Sequence, residues 1–256
     1  MLGKGEAQAE RLWPKASEEA NARRNNPADW QRYDFAASRV RGVRVLDCAC
    51  GAGYGTSLLA RAGAARAVGV DVAADALEWA RREYSSQVTE FRHASGDTLP
   101  VADGEFDCVV SLETIEHIAE DRAASFVAEL ARALRAGGLL VLSTPLTYGS
   151  ARLHPENPFH LREYIPSELE DLLRPHFDID ERLGQHSRLS RRFADIARTP
   201  GLGSFIRAGV HRLLPRAIRR VLRRLLLRPS GDGPECWIAS DRWQEAAVQL
   251  VVARKR

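Results

Sequence analysis

The sequence has few of the features that mark a secreted, membrane-spanning or metal-binding protein. Its 256 residues include only four cysteines, at 48, 50, 108 and 236, without the C-x-x-C pairing of common metal sites. We interpret them as buried thiols and predict no metal site. No stretch reaches the roughly 18 consecutive apolar residues that span a bilayer. The opening segment MLGKGEAQAERLWPK lacks the apolar core of a secretion signal, which favours a cytoplasmic location.

The formal net charge is only +3, so the overall charge identifies no class of partner. A hydrophobic content of 45% allows one substantial core with smaller additions. The pattern along the chain predicts four parts. They are a helical N-terminal cap (1–40), an α/β core (41–185), a basic amphipathic helical insertion (186–232) and a C-terminal segment that completes the sheet (233–256).

Short β-rich runs alternate with helical stretches through the core, which is typical of a mostly parallel sheet with helices on both faces. Seven strands are expected, at 43–47, 67–71, 88–93, 106–111, 138–144, 177–183 and 248–255. Helices are expected at 55–63, 73–84, 121–138 and 167–173. Gly137 and Gly138 are expected to end the third of these helices. In the cap, four aromatic residues are expected to pack over the sheet edge: Trp13, Trp30, Tyr33 and Phe35.

A glycine-rich turn follows the first predicted strand, in VLDCACGAGYG (45–55). Such a turn lets backbone N–H groups approach a ligand closely. Its spacing is D-x-x-x-G-x-G-x-G, whereas a dinucleotide-binding turn reads G-x-G-x-x-G. Asp71, at the end of the second strand, could accept hydrogen bonds from two ribose hydroxyls or could cap the following helix.

The turn, VGVDVAADALEWAR, ASGDTLPVADGEFDCVVSLETIEHI and RALRAGGLLVLSTP together resemble the ordered motifs of class I S-adenosylmethionine-dependent methyltransferases. The resemblance implies a Rossmann-like fold and S-adenosyl-L-methionine as cofactor. It implies that Asp71 binds the ribose hydroxyls and that Asp97 contacts the adenine amino group. The cofactor-binding residues that it implies are Asp47, Gly51, Ala52, Gly53, Gly55, Asp71, Val72, Gly96, Asp97, Thr98, Ser111 and Leu112.

Methyl transfer depends mainly on holding the two reacting atoms in line, and a hydroxyl acceptor must also lose a proton. Three residues near the predicted strand ends are catalytic candidates: His160, His117 and Glu116. Glu113 is a further candidate. The alternative for each residue is a structural role, such as ordering a loop or capping a helix.

RYDFAAS and NPFHLREY resemble segments of methyltransferases of polysaccharide and glycolipid biosynthesis. This resemblance favours a sugar hydroxyl, in a glycan or a lipid-linked acceptor. A quinone or another small natural product, methylated on oxygen or carbon, is the alternative; a non-catalytic peripheral membrane protein is a third. The run Asn157-Pro158-Phe159 follows the fifth strand, whereas the Asn-Pro-Pro-Tyr motif of nucleic-acid amine methyltransferases follows the fourth. Nucleic acid is therefore not the expected partner.

The predicted insertion carries eight arginines and no acidic residue between 207 and 228. Read as a helix, it places arginines on one side and aliphatic residues on the other. Such a helix could lie on an anionic membrane surface, at the inner face of the membrane, or pack on the core. RNA binding is less favoured because no aromatic residues are interleaved with the arginines. The oligomeric state is left open.

Overall fold

The computed structural model describes residues 12–147, 157, 159–187, 236–241 and 243–256. The predicted basic helix at 207–228 lies outside the described residues, as does most of the predicted insertion. Within the described residues, no helix has the length and apolar character that a membrane crossing requires.

A mixed sheet of eight strands, in the order β3-β2-β1-β4-β5-β8-β6-β7, forms the centre of the described part of the chain. Strands β1 to β5 run parallel, while β8, β6 and β7 are joined by antiparallel pairings. The strands are Arg44–Cys48 (β1), Arg66–Asp71 (β2), Thr89–His93 (β3), Phe106–Leu112 (β4), Leu134–Pro145 (β5), Phe177–Ser187 (β6), Cys236–Ala239 (β7) and Val248–Lys255 (β8). The predicted fold class is confirmed, and the predicted count of seven strands is corrected to eight by β7.

Six α-helices accompany these strands in the described ranges. They are Glu19–Asn25 (α1), Pro27–Ala37 (α2), Tyr54–Arg61 (α3), Ala74–Tyr84 (α4), Glu120–Ala133 (α5) and Pro166–Leu173 (α6). The apolar face of α5 is buried through Phe126, Val127 and Leu130, which belong to one of the core clusters that cover the sheet. Periodic apolar positions thus explain why this segment is helical and where it packs.

Helix α5 ends earlier than its sequence pattern predicts. The prediction placed its end at Gly137 and Gly138, but β5 already begins at Leu134, which pairs with Phe106 of β4. The ammonium of Lys255 donates to the carbonyl of Leu134 at 2.6 Å. Pairing within the sheet therefore overrides the local helical pattern at this position.

Helix α2 connects one face of the sheet to its far edge. Trp30 and Tyr33 are buried in the cluster that includes the β1 residue Val45 and the α3 residue Leu59. The amide of Gln31 donates to the carbonyl of Cys236 in the edge strand β7 at 2.8 Å. The cap therefore lies across a face of the sheet as well as at its edge, where the sequence predicted only an edge contact.

Candidate active site

The glycine-rich turn joins β1 to α3 at the carboxyl end of the parallel strands. Gly51 has φ +53°, a left-handed conformation, and a Cβ placed on it would meet no atom within 4 Å. The turn is fixed to the neighbouring strand, because the N–H groups of Ala49 and Cys50 donate to the carbonyl of Val70 at 2.8 and 3.0 Å. Gly51 thus combines a backbone that favours glycine with open space for a ligand.

The next two glycines of the motif face protein rather than open space. A Cβ on Gly53, which has φ +82°, would lie 2.5 Å from the Cβ of Ala80 and 2.7 Å from the ring of Phe91. A Cβ on Gly55 would lie 2.0 Å from the ring of Tyr33. These two residues allow α3 to pack closely against its neighbours.

Asp71 holds the turn and also lines the adjoining cavity. Its carboxylate accepts hydrogen bonds from the N–H of Gly51 at 2.8 Å and from the N–H of Ala73 at 2.8 Å. The side chain is buried at the end of β2. One contact stabilises the glycine turn and the other the start of α4, which agrees with a capping role; the binding of ribose hydroxyls by this acid stays a prediction.

Asp47 lies behind the turn, away from the cavity lining. Its buried carboxyl group accepts a hydrogen bond from the hydroxyl of Thr56 at 2.6 Å and a longer one from the hydroxyl of Tyr33 at 3.2 Å. Burial raises the pKa of Asp47 from 3.8 to about 7, although both hydrogen bonds act in the opposite direction. The acid therefore connects β1, α3 and α2 beneath the turn.

A single cavity of about 620 Å³ lies over the carboxyl ends of β1, β2 and β4. It brings together ten of the candidate site residues that the sequence singled out: Gly51, Ala52, Asp71, Val72, Gly96, Leu112, Glu113, Glu116, His117 and His160. The other six do not line it: Asp47, Gly53, Gly55, Asp97, Thr98 and Ser111. A shared cavity at this position is where open α/β sheets bind ligands.

Asp97 is turned toward Arg122 instead of the cavity. Its carboxylate forms an ion pair with that guanidinium and accepts a hydrogen bond from the hydroxyl of Ser95. These two contacts lower the pKa of Asp97 below its ordinary value. At this point of the chain, Ser95 and Gly96 form the cavity wall.

The two candidate histidines meet although they are 43 positions apart in the sequence. The imidazole Nδ1 of His117 donates to the carbonyl of Phe159 at 2.8 Å, and the N–H of Leu161 donates to the carbonyl of Glu116 at 2.8 Å. These bonds dock the segment around His160 on the short 3₁₀ helix Ile115–His117. The rings of the two histidines are 5.1 Å apart, edge to face.

Glu116 completes what we call the Glu-His-His cluster, made of Glu116, His117 and His160. Its side chain is fully buried, and Oε2 accepts a hydrogen bond from the hydroxyl of Thr144 at 2.8 Å. Its other oxygen, Oε1, is buried without a hydrogen-bond partner. Burial, with a smaller contribution from the nearby carboxylate of Glu113, raises the pKa of Glu116 well above its ordinary value.

Glu113 lines the same cavity and has a backbone conformation that residues other than glycine rarely adopt. Its φ is +50°, and its N–H donates to the carbonyl of Ser143 at 3.0 Å. The hydroxyl of Ser143 also donates to the Glu113 carboxylate at 2.7 Å. Backbone strain of this kind concentrates at functional sites, which agrees with the position of Glu113 on the cavity wall.

Arg32 and Tyr54 are among the cavity residues that the sequence did not assign to the site. Arg32 extends from α2, buried, and donates to the side-chain oxygen of Gln185 at 2.6 Å and to the carboxylate of Asp29. Tyr54 packs against Trp30 with ring centroids 4.7 Å apart. The segment RYDFAAS was the available signal, since Arg32 opens it. The sequence alone does not show that Arg32 reaches the cavity, because this depends on where α2 packs.

The fold and the cavity define a doubly wound α/β domain with a ligand site at the strand ends. Residues 46–142 match the methyltransferase-domain family. A Mycolicibacterium smegmatis protein described as "Probable S-adenosylmethionine-dependent methyltransferase" is 36% identical over 178 residues, covering 68% of this chain and 66% of the relative. A "Ubiquinone biosynthesis O-methyltransferase" from Xanthomonas campestris is 33% identical, covering 68% of this chain and 77% of the relative.

Solved structures support the same fold. An S-adenosylmethionine-dependent methyltransferase from Mesorhizobium loti has a TM-score of 0.56 at 18% identity, covering 89% of this chain and 97% of that one. The chain belongs to the S-adenosylmethionine-dependent methyltransferases, whose cofactor is S-adenosyl-L-methionine. It spans about half to two-thirds of the length of the first curated relatives that it matches.

Proposed function

We propose that the protein transfers a methyl group from S-adenosyl-L-methionine to a hydroxyl group of an acceptor molecule. The observation that carries the proposal is one cavity with two different ends. Gly51 and Asp71 lie on its wall at β1 and β2, and the Glu-His-His cluster lies on its wall beyond β4. The first set suits a nucleoside, and the second suits a group that must lose a proton.

The residues present fit the cofactor. The cavity has room at Gly51, where a Cβ would meet no neighbour, and the carboxylate of Asp71 lies beside it and could accept hydrogen bonds from hydroxyls. Val72, a residue that is 59% exposed, offers an apolar surface next to this acid. The charged guanidinium of Arg32 suits the carboxylate of the cofactor's amino-acid portion. When bound, S-adenosylmethionine supplies an electrophilic methyl group on a sulfonium centre.

The Glu-His-His cluster would remove the acceptor's proton. Because a carbonyl oxygen only accepts, the bond to Phe159 assigns the Nδ1 proton of His117 and leaves Nε2 with the lone pair in the neutral ring. The Nδ1 of His160 donates to Glu163 at 3.3 Å, while its Nε2 accepts from the amide of Asn157 at 2.9 Å. Both rings are therefore oriented by fixed partners, which aids positioning of an acceptor.

For the acceptor, a sugar hydroxyl of a glycan or lipid-linked saccharide is our first proposal, supported by the NPFHLREY segment that carries His160. A phenolic hydroxyl of a quinone precursor is the second, because 33% identity links this chain to ubiquinone O-methyltransferases. Attachment of residues 207–228 to an anionic membrane at the cytoplasmic face would suit a lipid-linked or hydrophobic acceptor in either case.

The first test is calorimetric titration of the protein with S-adenosylmethionine, S-adenosylhomocysteine and NADH in parallel. We expect binding of the first two and none of NADH, since the turn lacks the dinucleotide spacing. Transfer of isotope-labelled methyl to saccharide and to phenolic acceptors, with and without anionic vesicles, then separates the two acceptor classes. Binding of NADH alone, or of none of the three ligands, would contradict the proposal.

A second test compares two acids that sequence reasoning treated alike. Asp71→Ala should weaken S-adenosylmethionine binding by about 1–3 kcal/mol, through loss of a charged hydrogen-bond partner. Asp97→Ala should weaken it less, because its carboxylate faces Arg122 rather than the cavity. The measurement is the dissociation constant of each variant.

Because Asp71 also holds the N–H of Gly51, Asp71→Asn serves as the milder control, and the unfolding free energy is measured for each variant. A larger loss of affinity in Asp97→Ala than in Asp71→Ala would support the predicted contact between Asp97 and the adenine amino group. It would also mean that the segment around Ser95 rearranges when the cofactor binds.

A further inference from the structure

We infer that the Glu-His-His cluster is a binding site for a divalent transition-metal ion. The cysteine spacing of the sequence predicts no metal site, and Glu116 and His117 are distant from His160 along the chain. In the folded chain, each of the three residues offers one ligand atom, and these atoms all lie within 4.8 Å of one another. Ligand atoms bound to one ion at about 2.0–2.2 Å lie at most about 4.4 Å apart, so small side-chain movements would bring these three around an ion.

The contacts of the two histidines match those of metal ligands. A metal-binding imidazole usually donates its other ring N–H to a backbone carbonyl or a carboxylate, which fixes the ring and its tautomer. His117 donates Nδ1–H to the carbonyl of Phe159, and His160 donates Nδ1–H to the carboxylate of Glu163. In each ring Nε2 is then the nitrogen that carries the lone pair. At His160 the amide of Asn157 now bonds this nitrogen at 2.9 Å and would have to rotate away.

The buried carboxylate supplies an independent observation. Oε1 of Glu116 is fully buried and makes no hydrogen bond, while Oε2 is held by Thr144. A buried carboxylate oxygen without a partner is costly, and none of the described residues donates a hydrogen bond to it. A cation between the two imidazoles would give this oxygen its missing partner.

The donor set selects the class of ion. Two imidazole nitrogens and one carboxylate oxygen suit Zn²⁺, Fe²⁺ or Co²⁺, whereas Mg²⁺ and Ca²⁺ prefer sites made of oxygen atoms. Three protein ligands leave a coordination position open, and all three residues line the cavity. Zn²⁺ and Co²⁺ are therefore the probes to use, with Mg²⁺ as the comparison.

The role of the ion rests on the proposed function. Held at the open position, an acceptor hydroxyl would have its pKa lowered and would release its proton to water. The oxygen would then form its bond to the methyl carbon as the carbon–sulfur bond breaks, with the electron pair passing to sulfur. The imidazoles would serve as ligands rather than as free bases.

The test is metal binding by the full chain, measured without cofactor or acceptor. After removal of metal with a chelator, calorimetry should find one Zn²⁺ per chain, and bound Co²⁺ should give visible absorption, while Mg²⁺ binds far more weakly. His117→Ala, His160→Ala and Glu116→Gln should each weaken Zn²⁺ binding by at least about 100-fold, since losing only an orienting partner of a ligand typically costs 10–100-fold. His176→Ala is the matched control, because His176 packs beside Phe177 and does not line the cavity.

Zn²⁺ binding that survives both histidine substitutions, or an absence of binding by the unsubstituted chain, would overturn the inference. Far-ultraviolet circular dichroism and cofactor titration identify variants that have lost their fold. The unsubstituted chain remains decisive if a variant fails to fold. Metal binding with no S-adenosylmethionine binding would contradict the proposed function and leave the metal site standing. Binding of S-adenosylmethionine without binding of metal would overturn the inference, and removal of the acceptor's proton would then fall to the side chains alone.

Discussion

Gly53→Ala should lower the free energy of unfolding by about 2–5 kcal/mol. The left-handed conformation at φ +82° costs a residue with a Cβ about 1–2 kcal/mol. The new Cβ would also lie 2.5 Å from the Cβ of Ala80 and 2.7 Å from the ring of Phe91, and such overpacking adds about 1–3 kcal/mol. Both neighbours are buried in the cluster between α3, α4 and β3. Urea unfolding of the cofactor-free protein measures the change.

Two other glycines separate the two causes. Gly42 has φ +75° and no atom within 4 Å of its Cβ position, so Gly42→Ala should show only the conformational cost of about 1–2 kcal/mol. Gly55 has no positive φ, but its Cβ would meet the ring of Tyr33 at 2.0 Å, so Gly55→Ala should show the steric cost, offset by about 0.5–1 kcal/mol because alanine favours helix α3. An effect at Gly53 no larger than that at Gly42 would mean that Ala80 and Phe91 move aside without cost.

These glycines also show what the motif could and could not reveal in advance. The sequence grouped Gly51, Gly53 and Gly55 as cofactor contacts because all three fall in one turn after a strand. The structure assigns Gly51 to the cavity wall and the other two to packing against α4, β3 and α2. The glycine spacing predicts that other atoms approach the backbone closely. Whether those atoms belong to a ligand or to the protein depends on elements that are remote in the chain.

The fold was more predictable where local pattern and tertiary pairing agree. Strand Val248–Lys255 falls at its predicted position, because its apolar run is buried between β5 and β6. The predicted end of α5 was wrong, because the helical sequence pattern continues to residue 138 whereas Leu134 already pairs with Phe106 in the sheet. Strand Cys236–Ala239 was missed because four half-buried residues are too few to show an alternating pattern, although Trp237 and Ile238 favour strands.

The sequence identified the three residues of the Glu-His-His cluster but did not show that they lie together. Glu116, His117 and His160 were each singled out for their position after a strand. Their meeting depends on backbone hydrogen bonds from residues 161 and 162 to Glu116 and on the bond from the His117 imidazole to the carbonyl of Phe159; no periodicity encodes such a loop contact. Arg32 was missed for the same reason, because it reaches the cavity only through the packing of α2.

The buried acid Asp47 should make stability fall as the pH rises from about 4 to about 7. Its pKa is 3.8 in an ordinary setting and about 7 in the folded chain, so the native state holds the proton more tightly than the unfolded state. Burial of the Asp47 carboxyl does not lower the free energy of unfolding below about pH 4, where it is protonated in both the folded and the unfolded state. Above that, the cost grows by about 1.4 kcal/mol per pH unit and stops growing above pH 7, at roughly 4 kcal/mol.

The measurement is the unfolding free energy of the original chain minus that of Asp47→Asn, followed from pH 4.5 to 8 without cofactor. Asparagine resembles the protonated acid and does not titrate, so the difference should fall with pH and then level off. Asp107→Asn is the control whose difference should stay constant over this range, because Arg44 and Arg135 lower the pKa of Asp107 and its stabilisation is lost only as the pH falls below about 4. A difference at Asp47 that does not vary with pH would mean that its carboxyl is charged when folded. The bonds from Thr56 and Tyr33 would then outweigh burial beneath the glycine turn.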